Sequence, residues 1–188
     1  MAAQNRLEWA RAFVLQAKLD LDLACALLTI TRGAEPGGQL ASRPELCLPA
    51  MFGYCQQSIE KALKAWLWYS TGSIPRSHNP LGSVLKAAHM HMRGKSRPRH
   101  LQIIDRNRKS VDRILNMAPG ATCEDADMAA LLSQPNTEYP FRVLPGGRIR
   151  LPHEEISLGD VSAAIKVATP LVLSIHGYLG AVGLLGSQ

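Results

Sequence analysis

Apolar residues recur every three or four positions over residues 6–32, and this spacing constrains the fold more than any other feature of the chain. It places one apolar stripe along a helix of about seven turns. The stripe consists of Leu7, Ala10, Val14, Ala17, Leu21, Ala24 and Leu28. Gly33 ends the pattern, and the Pro- and Gly-rich segment 33–49 lets the chain turn back. A second stripe over residues 50–70 predicts a second long helix antiparallel to the first.

The rest of the chain continues this organisation. Amphipathic spacing predicts further helices at residues 81–88, 101–117, 124–132 and from about 158 toward 178. Two short extended runs within residues 139–151 flank Pro145-Gly146-Gly147, which predicts either a small β-hairpin before the last helix or irregular structure. We therefore predict one all-α domain over residues 1–188, an antiparallel up-and-down bundle of four to five helices with a basic loop or insertion. Residues 181–188 are predicted to form a flexible tail.

Composition favours helices over sheet. Aromatic residues make up only 5% of the 188 residues and hydrophobic residues 46%, so the core must be mainly aliphatic. The four cysteines are scattered, without a CxxC pair or histidines at zinc-ligand spacing, so we predict neither a disulfide framework nor a metal site. No signal peptide is recognisable, and Pro and Gly interrupt the uncharged segment 167–186. We therefore expect a cytoplasmic protein with no membrane span.

One segment supplies the whole excess of positive charge. Residues 86–113 contain nine Lys or Arg and two acids, within a chain of net charge +6. Such a density of fixed cations attracts a polyanion, either RNA or an acidic protein tail. The alternative is a solvated, flexible loop, because the segment contains Gly94 and Pro98 and no aromatic ring on which a base could stack.

Two stretches form the most specific pattern in the chain. Residues 55–67 include Gln57-Ser58-Ile59-Glu60-Lys61-Ala62-Leu63-Lys64-Ala65, and residues 74–81 read Ile74-Pro75-Arg76-Ser77-His78-Asn79-Pro80-Leu81. Together they resemble the HEPN domain family, whose second helix commonly reads hydrophobic-Gln-x-x-Glu-Lys-Ala-Leu-Lys-Ala and whose next loop contains Pro-x-Thr/Ser-His.

Two weaker elements agree with this resemblance. Ala17-x-x-Asp20-Leu21-x-x-Ala24 is similar to the family's first helix, and Tyr139-Pro140 stands where the family often has Arg-Tyr-Pro, with Glu138 in place of the Arg. The resemblance covers residues 7–92 and, loosely, 139–180. Residues 93–134 have no counterpart and are treated as divergent or inserted.

The resemblance implies a helical bundle, usually a homodimer, that binds or acts on nucleotides or RNA. It also implies a possible nucleotidyltransferase-domain partner in a system of the toxin–antitoxin type, and we predict no cofactor. Lys61 and Lys64 would lie beside a phosphate in a groove between protomers, Gln57 would hydrogen-bond a base or sugar, and Arg76 and His78 would enter from the adjacent loop. The residues alone allow a simpler interpretation, in which Glu60, Lys61 and Lys64 form an exposed helix edge with a weak Glu60–Lys64 ion pair, and His78 starts the third helix.

Catalysis is a separate question. Many members of the family are ribonucleases whose site is an Arg, then four to six residues, then a His, a pair that can stabilise a phosphate and move a proton. Arg93 and His100 have this separation, but Gly94 replaces the polar residue that commonly follows the family's Arg. The chain has no P-loop, nucleophile elbow or HExxH pair.

Three hypotheses follow. The first is a dimeric HEPN-like nucleotide- or RNA-binding protein with little or no catalysis. The second is a metal-independent endoribonuclease toxin of the same fold that uses Arg93 and His100. The third is a non-catalytic interaction module in which the C-terminal helix, Trp66 and Trp68 form an oligomer seam.

Overall fold

The computed structural model describes residues 2–33, 47–91, 96–117 and 155–182. Within these ranges it contains five helices and no strand: α1 (Ala2–Gly33), α2 (Leu48–Thr71), α3 (Leu81–His91), α4 (Arg99–Asn116) and α5 (Leu158–Ala181). The prediction of an all-α helical bundle is confirmed, and each helix predicted within the described ranges is present. The helix predicted at 124–132, the hairpin at 139–151 and nearly all of the tail lie outside the described residues.

Helix α2 is the centre of the bundle because all four other helices pack against it. The long contact with α1 buries the stripe predicted from the sequence, from Ala10 to Leu28, whereas Leu7 at its start is exposed. Helix α5 packs against α1, α2 and α4. One core therefore joins the five helices, and the polar residues of α2 lie next to it.

Hydrogen bonds join the N-terminal end of α1 to the C-terminal end of α2. Helix α2 stops at Gly72, whose positive φ of 73° favours glycine, and the Gly72 N–H donates to the Trp68 carbonyl. The Arg6 side chain of α1 also donates to the Trp68 carbonyl, at 2.8 Å, and to the Tyr69 carbonyl. A guanidinium at this point satisfies carbonyls that a helix C-terminus leaves unpaired and complements its negative dipole end.

Helix α5 is the last helix of the bundle. A capping box starts it, since the Ser157 hydroxyl accepts from the Asp160 N–H while the Asp160 carboxylate accepts from the Ser157 N–H. Among the described helices, α5 alone is long and apolar enough to cross a membrane by length and composition, a test that the core helix of a bundle also passes. Its apolar face, from Val161 to Leu179, is buried, and the helix continues through Pro170.

Candidate ligand-binding site

Lys61 and Gln57, two of the predicted ligand residues, belong to a polar chain between α1 and α2. Lys61 Nζ lies 2.6 Å from Asp20 Oδ2 and donates to Gln57 Oε1 at 3.2 Å. The second carboxylate oxygen of Asp20 accepts from Gln16 Nε2 at 3.0 Å. Because Asp20 is buried, its charge and that of Lys61 compensate each other where the two helices pack.

Lys64 and His78 converge on Glu60. Lys64 Nζ lies 2.7 Å from Glu60 Oε1, and His78 Nδ1 lies 3.2 Å from Glu60 Oε2. Lys64 and Glu60 are each only 9% exposed. Burial by itself would raise the pKa of the Glu60 carboxyl, but the hydrogen bonds from His78 and Lys64 outweigh it and hold that pKa below its usual value. The carboxylate therefore stays ionised and fixes the loop that carries His78 against α2.

The simpler interpretation of these residues is half right. The Glu60–Lys64 ion pair exists, but the predicted exposed helix edge is wrong for this pair, because α2 is surrounded by other helices and both side chains are buried. The start of α3 involves Asn79, whose Oδ1 accepts from the Leu81 N–H at 3.2 Å. Arg76 is exposed in the loop and forms no ion pair with any described residue.

One member of the predicted catalytic pair, His100, lies within the described residues. Arg93 lies outside the described residues. His100, in the first turn of α4, is 1% exposed, and its ring centroid lies 5.7 Å from that of Trp66 and 4.9 Å from that of Tyr178. Neither ring nitrogen has a hydrogen-bond partner among the described residues. Burial lowers the pKa of His100 to about 4, so at neutral pH this imidazole is an uncharged part of the core.

Of the two tryptophans that the third hypothesis places in an oligomer seam, Trp66 is excluded by its burial and Trp68 remains partly accessible. Trp66 is fully buried in the core and Trp68 is half-buried. The apolar face of α5 is likewise occupied by contacts inside the bundle. The prediction that Trp66 belongs to an oligomer seam is wrong, because α2 lies at the centre of the fold.

A groove that the sequence did not reveal lies between the loop 72–80, α3 and α4. It has a volume of about 660 Å³ and is lined by Ser77, Asn79, Leu81, Gly82, Leu85, Arg108, Lys109, Asp112 and Asn116. The Asn79 amide holds the loop to α4, since its Nδ2 donates to Asp112 Oδ1 at 2.9 Å and to Asn116 Oδ1 at 2.7 Å. These bonds set the width of the groove on the side of the loop.

Two cations stand on the α4 wall of the groove. Arg108 and Lys109 are exposed, and neither forms an ion pair with a described residue. They follow Asn107 directly, where the backbone leaves helical geometry (φ −114°, ψ 18°) and the side chain donates to the Ile103 carbonyl. Asp112 is the one acid in the lining, so the groove has a net positive charge.

The other cations of α4 and the residues before it fall into two groups, those paired with an acid and those without an acidic partner among the described residues. Arg97 pairs with Asp105 and Arg113 with Asp160, each at 3.0 Å. Arg99 and Arg106, like Arg108 and Lys109, are exposed and have no acidic partner within the described ranges. Residues 99–116 are helical, so the alternative of a solvated loop does not hold for this part of the segment.

The comparisons add no further assignment. Searches against protein-family models, curated proteins and solved structures found no match to this chain. In the described part of the structure, no group of three or more His, Cys, Asp or Glu side chains is arranged to hold a metal ion.

Proposed function

We propose that this protein is a HEPN-like helical protein that binds a nucleotide or an RNA segment, with a phosphate against Arg108 and Lys109. The observation that supports the proposal is the groove, where two exposed cations without acidic partners face an apolar floor. None of the five residues predicted from the motifs lines the groove, and one of them, His78, contributes indirectly, because its contact with Glu60 fixes the loop that forms the opposite wall.

The chemistry of the groove suits such a ligand. Arg108 can give a phosphate two parallel hydrogen bonds, and Lys109 adds a second positive charge beside it. Leu81, Gly82 and Leu85 provide an apolar surface for a base or a sugar. A volume of about 660 Å³ is within the usual range for small-molecule sites. Other exposed cations on α4, Arg99 and Arg106, could contact further phosphates if the ligand is RNA.

The proposed function is ligand binding alone, and RNA cleavage by Arg93 and His100 is not part of it. A general acid or base must come within hydrogen-bond distance of the group whose proton it moves. His100 lies between Trp66 and Tyr178 in the core, and burial favours its neutral form. A nucleotidyltransferase-domain partner remains part of the proposal only through the family resemblance.

Fluorescence anisotropy with a labelled single-stranded RNA, with unlabelled AMP and ATP as competitors, tests this function. The charge-reversal variant Arg108→Glu/Lys109→Glu is expected to weaken binding at least about 30-fold and to reduce the slope of log K against log salt concentration by about 2. The control Arg11→Glu/Lys86→Glu changes the charge equally at exposed positions outside the groove lining. It should retain much tighter binding than the groove variant.

Two results would overturn the proposal. One is wild-type protein that binds neither the RNA nor the nucleotides, which would favour the interaction-module hypothesis. The other is an equal loss of binding in the groove and control variants, because it would show that general charge rather than the groove determines affinity. Cleavage of the RNA that persists in Arg93→Ala and His100→Ala variants would refute the ribonuclease hypothesis in its predicted form.

A further inference from the structure

Helix α1 has a second apolar face on the side away from the core. Leu15, Leu19, Leu23 and Ile30 are 37%, 61%, 42% and 54% exposed. Ala12 and Ala26 are also exposed and complete the set. We call these six residues the outer stripe. At 100° per residue, the mean direction of the outer stripe is about 180° from that of the buried stripe on the same helix.

The spacing of the outer stripe keeps it on one side of α1 over its whole length. The intervals are 3, 4, 4, 3 and 4, so that positions 12, 15 and 19 recur 11 residues later at 23, 26 and 30. An 11-residue repeat corresponds to about 3.67 residues per turn, close to the 3.6 of a straight helix. A straight partner helix could therefore contact all six residues, along about 27 Å.

The exposed area is of the size that a dimer uses. Specific protein–protein interfaces bury about 600 Å² or more per partner. Six exposed residues along about 27 Å of one helix, with their flanking side chains, form a surface of that order. Because affinity depends on the quality of the contacts rather than on area, the dimer is tested over a wide range of protein concentration.

The charged residues beside the outer stripe are complementary to the same residues of a second, antiparallel copy. Lys18 and Asp22 lie on one flank, and their side chains pair within the chain at 2.7 Å while remaining 42% and 56% exposed. A two-fold axis near residue 20 would make two α1 helices antiparallel and bring Lys18 next to the partner's Asp22, twice per dimer. In this register each leucine lies between stripe residues of the other helix. A basic flank suited to an anionic membrane surface is not present on the described α1, where three acids accompany the four cations: Glu8, Asp20 and Asp22 beside Arg6, Arg11, Lys18 and Arg32.

We propose that a second copy of this chain covers the outer stripe, with the two α1 helices antiparallel about a two-fold axis near residue 20. The proposal does not depend on the nucleotide-binding groove, since no residue of α1 lines it. It assigns the dimer contact to α1 rather than to α5 and the tryptophans.

Sedimentation velocity of the full chain at about 1–200 µM tests the proposal. Wild-type protein is expected to change reversibly from the 20.5 kDa monomer to a species of twice that mass. Leu19→Glu should remain monomeric, with helical circular dichroism and a melting temperature close to those of the wild-type monomer, because Leu19 is exposed in the single chain. The matched control is Leu173→Glu, at an exposed leucine of α5 (49% against 61% for Leu19), and it should dimerise like wild type.

A charge exchange tests the antiparallel register. Lys18→Glu places like charges beside the partner's Asp22 and should raise the dimer dissociation constant about 5-fold or more, while the double variant Lys18→Glu/Asp22→Lys should restore it. Failure of the double variant to recover would contradict the register. A wild-type chain that stays monomeric at the highest concentration, with or without binding to anionic vesicles, would refute the interface. So would a dimer that survives Leu19→Glu or is lost equally in Leu173→Glu.

Discussion

Lowering the pH from 7 to 4.5 is expected to destabilise the bundle through His100. In the unfolded chain the ring takes up a proton near pH 6.5, whereas burial lowers the pKa in the folded protein to about 4. The folded state therefore stays neutral while the unfolded state gains a proton, and stability that is complete above pH 6.5 is lost as the pH falls toward 4. At about 1.4 kcal/mol per pH unit, the loss reaches about 2.5 kcal/mol by pH 4.5. This is a large part of the stability of an ordinary domain.

Urea unfolding followed by circular dichroism, at constant ionic strength from pH 7.5 to 4.5, measures this loss. His100→Phe keeps an aromatic ring between Trp66 and Tyr178 and has no nitrogen to protonate. The variant should therefore lose about 2.5 kcal/mol less than wild type over the same range. His89→Gln removes an exposed ring of α3 and serves as the control, with a pH dependence like that of wild type. Parallel curves for wild type and His100→Phe would refute the reasoning, because they would mean that the ring takes up its proton at the same pH in the folded and unfolded states.

Three further substitutions test the contacts of α2 and α5 by urea unfolding at pH 7. Lys64→Met leaves the buried Glu60 carboxylate without its closest cation and should cost about 3 kcal/mol, much of it recovered when Glu60→Gln is added; no recovery would contradict a charge effect. Gln56→Leu removes the donor to the buried Ile114 carbonyl, at 2.7 Å, and should cost about 2 kcal/mol; a neutral result would show that this carbonyl finds another donor. Ser157→Ala removes the N-cap of α5 and should cost about 1 kcal/mol, whereas Ser157→Asp should restore most of it.

The helices were predictable from the sequence because the spacing of apolar residues reflects which face is buried. The buried face of α1 and the bounds of α2 to within a few residues follow directly from this spacing. The same reasoning could not predict the burial of Glu60 and Lys64, because charged residues beside an apolar stripe are usually exposed. Their burial depends on the packing of four helices around α2, and that is a property of the tertiary structure. The burial of His100 was missed for a similar reason, since Arg and Pro residues surround it in the sequence.

The candidate groove was predictable only in part. The excess of cations in residues 86–113 predicted a polyanion, and Arg108 and Lys109 belong to that segment. The opposite wall comes from the loop 72–80, and the Asn79 side chain holds that loop to α4 through its bonds to Asp112 and Asn116. The spacing of apolar residues along the sequence does not predict a contact between side chains 33 or more positions apart. The outer stripe of α1, by contrast, is visible in the sequence as a second set of apolar positions.

Three of the four sequence elements that resemble the HEPN family are joined by direct contacts in this protein. Asp20, from the first-helix pattern, pairs with Lys61 of the second-helix motif, and Glu60 of that motif pairs with His78 of the loop. These contacts account for why such residue types occur together in this chain, since each buried charge needs a partner of opposite sign. A motif that is occupied by internal ion pairs explains how helices and loop are held, and it leaves few charges for a phosphate. The ligand is therefore better sought at Arg108 and Lys109, whose charges no described residue neutralises.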